Sequence, residues 1–196
     1  HAGQGPRSSR GACRARAAGL AEAPNSRRPG SLPAAPPARP DRHRGAPPRR
    51  GTGRPLIVYA ESSAVLAWLF GEPGGRPAVE ALDQAEFVTA SDLTLLECDR
   101  SLVRAAALSA IREERAARLR VILARAVTHW RLMPISREIV NRARQPFPGE
   151  PIRSLDAIHL ASALLAADSL PDFALLSLDR RVRATGARLG LRVLPD

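Results

Sequence analysis

The 196-residue chain has no lysine at all, so each of its 30 basic residues is arginine. A Walker A phosphate loop requires lysine and is excluded. Aromatic residues make up only 4% of the chain, which leaves core packing mainly to aliphatic side chains. Its two cysteines, Cys13 and Cys98, are too few for a disulfide scaffold or a Cys-rich zinc site, and they fit a reducing, cytoplasmic setting. No apolar run approaches the roughly 20 residues of a membrane span. The longest candidate, 56–70, is broken by Glu61, so a soluble protein with no membrane partner is expected. No Gly-x-Gly-x-x-Gly run opens a helix, and the turn Gly71-Glu-Pro-Gly-Gly75 ends one instead, which removes support for a dinucleotide site.

What the chain does have is a formal charge of +11, distributed very unevenly. Residues 1–55 carry 12 arginines against Glu22 and Asp41, a net of 12 − 2 = +10, together with 10 of the 18 prolines. Residues 56–196 carry 18 arginines against 17 acids, a net of +1. Stretches such as Pro33-Ala-Ala-Pro-Pro-Ala-Arg-Pro40 lack apolar periodicity and bury too little surface to offset ordering entropy, so 1–55 reads as a disordered extension. A targeting peptide is opposed by the lack of an apolar stretch behind Arg27-Arg28. Two readings stay open. One is an extension with no role, outside the native protein if translation starts near Leu56. The other is an arm whose arginines attract RNA phosphates.

From residue 56 onward, short apolar runs alternate with segments of helical spacing. Strands are expected at 56–59, 87–89, 132–135, 173–177 and 191–194. Helices are expected after Ser62-Ser63, at 77–84, 93–108, 111–130 and 137–144, from Ser154, and at 180–189. Such alternation implies a mainly parallel sheet covered by helices on both faces, an α/β fold.

In folds of this class, ligand chemistry gathers beyond the carboxyl ends of the strands. Glu61 follows the first strand and Asp179 follows Leu175-Leu-Ser177. Asp156 lies in the first turn of a largely apolar helix, and Glu97 sits inside the apolar run Leu93-Thr-Leu-Leu-Glu97. Singly, each has a local explanation. Glu61, Asp156 and Asp179 suit helix N-termini, and Glu97 could pair with Arg100 or Arg104. Together, four carboxylates brought into one cleft would need a cation or raised pKa values. Oxygen ligands favour Mg²⁺ or Mn²⁺ over zinc. His159, one turn after Asp156, reads on its apolar stripe as a core or helix-surface histidine, and Cys98 as a small buried hydrophobe.

Four segments carry a family resemblance: Ile57-Val-Tyr-Ala-Glu-Ser-Ser-Ala-Val-Leu66, Leu93-Thr-Leu-Leu-Glu97, Arg153-Ser-Leu-Asp-Ala-Ile-His-Leu-Ala-Ser-Ala163 and Leu175-Leu-Ser-Leu-Asp179. In order and spacing they resemble the blocks of PIN-domain ribonucleases, most closely the VapC-type toxins of toxin–antitoxin pairs. The resemblance covers about 56–196 and implies a three-layer sandwich with a mainly parallel central sheet. It implies Mg²⁺-dependent endoribonuclease activity, with Mn²⁺ as a second possible metal. Glu61, Glu97, Asp156 and Asp179 would be the metal-binding and catalytic acids. Ser177 stands where the family often has a hydroxyl that orients water or an acid, and Ser62 could act similarly from behind. An RNA substrate, a small cognate antitoxin and a homodimer are implied as partners. Arg100, Arg104, Arg153, Arg180 and Arg181 flank the acids as candidate phosphate contacts. One departure stands out: the family's first acid is usually Asp, and here it is Glu61. The alternative implied is a catalytically impaired PIN scaffold that binds RNA or a protein partner.

Overall fold

The computed structural model describes residues 55–196. The expected disordered extension, 1–55, lies outside the described residues except for Pro55. The first apolar run forms β1 (Ile57–Ala60), all four residues buried. It leads through Glu61 into α1 (Ser62–Phe70), which stops at Gly71. Gly71 adopts φ 68°, a left-handed conformation that costs glycine nothing, and its N–H returns to the carbonyls of Ala67 and Trp68. A short 3₁₀ turn, Pro73–Gly75, precedes α2 (Arg76–Gln84). Then follow β2 (Phe87–Ser91), α3 (Asp92–Ala107), α4 (Glu113–Val127), β3 (Arg131–Met133) and α5 (Arg137–Ala143). The chain closes with α6 (Ser154–Ser169), β4 (Phe173–Leu176), α7 (Arg180–Arg188) and β5 (Arg192–Leu194).

Among these residues the strands build one sheet in the order β3-β2-β1-β4-β5, parallel at every pairing. The period-two alternation of β1 and β4 divides the core into two layers. Val58, Ala60, Ala174 and Leu176 face a cluster with Trp68, Leu69, Leu82, Cys98 and Leu123, contributed by α1 to α4. Ile57, Tyr59, Phe173 and Leu175 face the opposite cluster with Ile139, Leu160, Ala163 and Val182, from α5 to α7. Helices on both faces explain why the central strands read as unbroken apolar runs. The described residues form the expected α/β three-layer sandwich. No helix of the described residues is long and apolar enough to cross a membrane.

Ser136 caps α5, accepting the N–H of Ile139. At α1 the cap is Glu61, whose side chain accepts the Ser63 N–H. Ser91 precedes α3 but makes no cap bond, since its hydroxyl accepts from Tyr59.

Gly186, inside α7, packs directly against side chains of β4 and β5. A Cβ there would stand 2.6 Å from Leu175 Cδ2 and 3.4 Å from Val193 Cγ2. Alanine normally stabilises a helix interior relative to glycine by up to about 1 kcal/mol. Here the clash with a fully buried leucine outweighs that gain, and Gly186→Ala is expected to lose about 1–2 kcal/mol net in urea unfolding. A stabilised variant would mean that α7 can slide off the sheet at little cost.

Candidate active site

The sheet order runs outward in both directions from β1 and β4, so the switch point of the topology falls between those two strands. Ligand crevices in open parallel sheets form beyond the carboxyl ends of the strands at this point. The ends of β1 and β4 deliver Glu61 and, after Ser177 and Leu178, Asp179. Asp179 caps α7, its Oδ1 accepting N–H bonds from Arg181 at 2.7 Å and Val182 at 3.2 Å. Asp156 lies in the first turn of α6. Three of the four predicted acids therefore sit at helix N-termini, where the peptide dipoles favour negative charge.

Glu61 is buried, 4% exposed, and its carboxylate is a hub for three serines. Oε1 accepts from Ser62 Oγ at 2.7 Å. Oε2 accepts from the Ser63 N–H at 3.1 Å, from Ser177 Oγ at 2.8 Å and from Ser63 Oγ. Donor counting fixes the directions. Ser63 Oγ already accepts the backbone N–H groups of Leu178 at 2.8 Å and Asp179 at 3.1 Å, so its proton is committed to Glu61. Through Ser63 and Ser177, the segment after β4 is tied to the acid after β1. Ser177 is wholly buried. Of the two groups it was expected to orient, water or an acid, the contact present is with an acid, Glu61.

Glu97 reaches the same place from α3. Thr94, one turn earlier, donates to the carbonyl of Ala60 at 3.1 Å and pins α3 to the end of β1. Glu97 Oε2 accepts from Ser62 Oγ at 2.6 Å and from His159 Nε2 at 2.7 Å. Neither Arg100 nor Arg104 is its partner. Both are exposed, as are Arg153, Arg180 and Arg181. Burial works against the Glu97 charge, but the hydrogen bonds from His159 and Ser62 and the nearby imidazole outweigh it, holding the carboxyl below its usual range.

Asp156 behaves in the opposite way. Burial, then the negative charge of Asp179, push its pKa up; Arg153 opposes this, Glu61 adds to it, and His159 opposes it. Its Oδ2 is buried and has no hydrogen-bond partner among the described residues. The four acids thus fall into two linked sets. Glu61 and Glu97 share the Ser62 hydroxyl, while Asp156 feels the charges of Asp179 and Glu61.

His159, Tyr59 and Ser63 are site residues that the sequence reading passed over. His159 is 1% exposed. Its Nε2 lies 2.7 Å from Glu97 and 3.8 Å from Glu61 Oε1, and its Nδ1 lies 2.9 Å from the Tyr59 hydroxyl. Glu61, Glu97 and His159 each offer a ligand atom within 4.8 Å of the others. The available signal was the three-residue spacing from Asp156, which puts both side chains on one side of α6. Burial drives the Tyr59 hydroxyl up to about 12, only partly countered by Ser91, Ser162 and Thr94, so it remains a neutral phenol.

The donor set suits a hard cation. Glu61 and Glu97 supply carboxylate oxygens beside His159, while Asp156, whose buried Oδ2 has no partner among the described residues, is linked to Glu61 and Asp179 by charge. Between Glu61 and Glu97, one serine proton faces two carboxylate oxygens.

Comparison with known proteins bears on the same region. No match is found among curated protein sequences. Among solved structures, the chain is similar to FitAcB from Neisseria gonorrhoeae, with 15% identity and a TM-score of 0.54 over 71% of this chain and 97% of that one. It is also similar to VapC20 from Mycobacterium tuberculosis, a sarcin-ricin loop cleaving toxin, at 17% identity, TM-score 0.48, covering 66% and 95% of the two chains. A toxin–antitoxin complex from Klebsiella pneumoniae matches at 22% identity, TM-score 0.44, covering 66% and 90%. The first of these likenesses is one of fold. Residues 58–188, well over half of the sequence and spanning all four acids, match the family model of the PIN domain, and the chain belongs to the PIN domain family.

Proposed function

We propose that this protein is a metal-dependent endoribonuclease that hydrolyses RNA phosphodiester bonds, acting as the toxin of a toxin–antitoxin pair, with 56–196 as its catalytic domain. The observation that carries the nuclease reading is the orphaned Oδ2 of Asp156, buried beside the charges of Asp179 and Glu61 with no protein donor to satisfy it. A carboxylate left in that state is costly unless a cation or a proton joins it.

Glu61, Glu97, Asp156 and Asp179 would hold Mg²⁺ or Mn²⁺, which when bound would neutralise phosphate charge and lower the pKa of a water. The protein's own part is positional. Ser63 and Ser177 hold Glu61 in one rotamer, and Ser62 spaces it from Glu97. The N-terminus of α7 holds Asp179. The exposed guanidinium groups of Arg153, Arg180 and Arg181, adjacent in sequence to Asp156 and Asp179, are suited to RNA phosphates. The toxin role, a small antitoxin partner, a homodimer and a cytoplasmic setting rest on the four-block resemblance to VapC-type chains.

A second reading, an impaired scaffold that binds RNA or protein, has one observation in its favour. Two hydroxyls and one backbone N–H already satisfy Oε2 of Glu61, and a third hydroxyl, shared with Glu97, faces Oε1, where the family usually has the shorter Asp. Incubating purified protein with RNA separates the two. Cleavage that requires Mg²⁺ and stops with a chelator is the expected result. Absence of cleavage with Mg²⁺ and Mn²⁺, or cleavage indifferent to chelation, overturns the nuclease reading.

A further inference from the structure

Resting on that reading, we propose that His159 is the positioning residue that presents Glu97 to the bound cation, anchored from behind by Tyr59 and Ser91. The evidence is a continuous buried chain across the α5–α7 side of the sheet. Ser91 Oγ lies 2.9 Å from the Tyr59 hydroxyl, which lies 2.9 Å from His159 Nδ1, and His159 Nε2 lies 2.7 Å from Glu97 Oε2. Tyr59, Ser91 and His159 are each at most 1% exposed. The links join β1, β2, α6 and α3, so the Glu97 carboxylate is fixed by elements other than its own helix.

His159 could instead be read as a cation ligand, since its Nε2 belongs to the Glu61–Glu97–His159 cluster. The distances oppose this. Both ring nitrogens already have partners, and 2.7 Å from Nε2 to a carboxylate oxygen is a charge-assisted hydrogen bond. Neighbouring ligands on an octahedral ion with bonds of about 2.0–2.1 Å stand about 2.9 Å apart or more. An ionised carboxylate only accepts, so Nε2 carries the proton on that side. A protonated nitrogen has no lone pair for a metal. Holding an acidic ligand through an imidazole N–H fixes its orientation, as outer partners of metal ligands commonly do.

Two substitutions split the ring into its two halves. In His159→Gln the amide nitrogen occupies nearly the place of Nε2 and can still donate to Glu97. In His159→Asn it falls near Nδ1 and can meet only Tyr59. The full chain and both variants are titrated with Mn²⁺, following the free-ion EPR signal, and kcat and KM are measured on an RNA oligonucleotide. His159→Asn is expected to weaken Mn²⁺ binding about 10–100-fold and to lower kcat with little change in KM, while His159→Gln stays within about threefold of the parent. Should His159→Asn fail to fold, Tyr59→Phe, which removes only the rear anchor, is expected to weaken Mn²⁺ binding in the same direction by a smaller factor. Parental Mn²⁺ affinity in both His159→Asn and Tyr59→Phe overturns the proposal. So does His159→Gln as impaired as His159→Asn, or a direct nitrogen coupling to Mn²⁺ in the parent's pulsed EPR spectrum, either of which would make the imidazole a ligand. A parent chain that neither binds Mn²⁺ nor cuts RNA sinks the nuclease reading, and this proposal with it.

Discussion

Asp156→Asn is expected to lower RNA cleavage by about 100-fold or more, while the cation-free variant melts at the same temperature as the parent or higher. The two effects have one origin. Burial and the charges of Asp179 and Glu61 favour the protonated carboxyl, so the folded chain binds this proton more tightly than the unfolded chain does. A raised carboxyl pKa contributes stability that is complete below its ordinary value of 3.8 and lost as pH rises through the raised folded value. Above that window the charged side chain weakens the fold, and asparagine, which carries no charge, relieves it. Added Mg²⁺ should reverse the order. A ligand that binds only the folded chain raises its stability in proportion to occupancy, so the parent gains and the variant gains less. Thermal melts at neutral pH, with and without Mg²⁺, check the ranking. A variant that cuts as fast as the parent would remove Asp156 from the reacting centre.

Much of this arrangement is legible in the residues themselves. Unbroken apolar runs at 56–59 and 173–177 mark strands covered on both faces, and the acids after them mark the carboxyl edge of the sheet where the candidate site lies. Each acid stood out because it occupied an element end or an apolar run. What spacing could not reveal was which side chains meet. Glu61 and Glu97 are 36 residues apart, and only the parallel pairing and the Thr94 contact bring them to one serine. His159 was masked by its surroundings. Helix α6 is buried on most of its circumference, so its periodicity offers no polar face against which a functional histidine would register. Tyr59 was hidden in the same way inside an apolar strand, since its hydroxyl adds nothing to a hydrophobic pattern. Spacing alone does not choose the cap of α1, because serine and acidic side chains can both accept the free N–H groups of a helix start. Three candidate caps stood in a row at Glu61-Ser62-Ser63, and the choice between them is made by Ser177, 116 residues from Glu61.

Glu61→Gln and Glu61→Ala should both lose about 100-fold or more in cleavage, yet differ sharply in stability. At the glutamine the amide oxygen can take the place of Oε2, still accepting from the Ser63 N–H, Ser63 Oγ and Ser177 Oγ. The amide nitrogen then replaces Oε1 beside Ser62, whose hydroxyl accepts from it and gives its proton wholly to Glu97 at 2.6 Å. Every hydrogen-bonding group keeps a partner and only the negative charge is gone. The opposite amide orientation is disallowed, because an NH₂ group in the Oε2 position would face three donors. Alanine satisfies none of them. It leaves two serine protons and one backbone N–H without an acceptor and opens a cavity at the junction of β1, β4 and α1. A loss of about 2–4 kcal/mol in urea unfolding is expected for Glu61→Ala, against little change for Glu61→Gln. If Glu61→Gln unfolds as easily as Glu61→Ala, the charge and not the bonding pattern holds the junction together. If Glu61→Gln instead cleaves at the parental rate, Glu61 serves as a helix cap alone, and any cation is held by Glu97, Asp156 and Asp179.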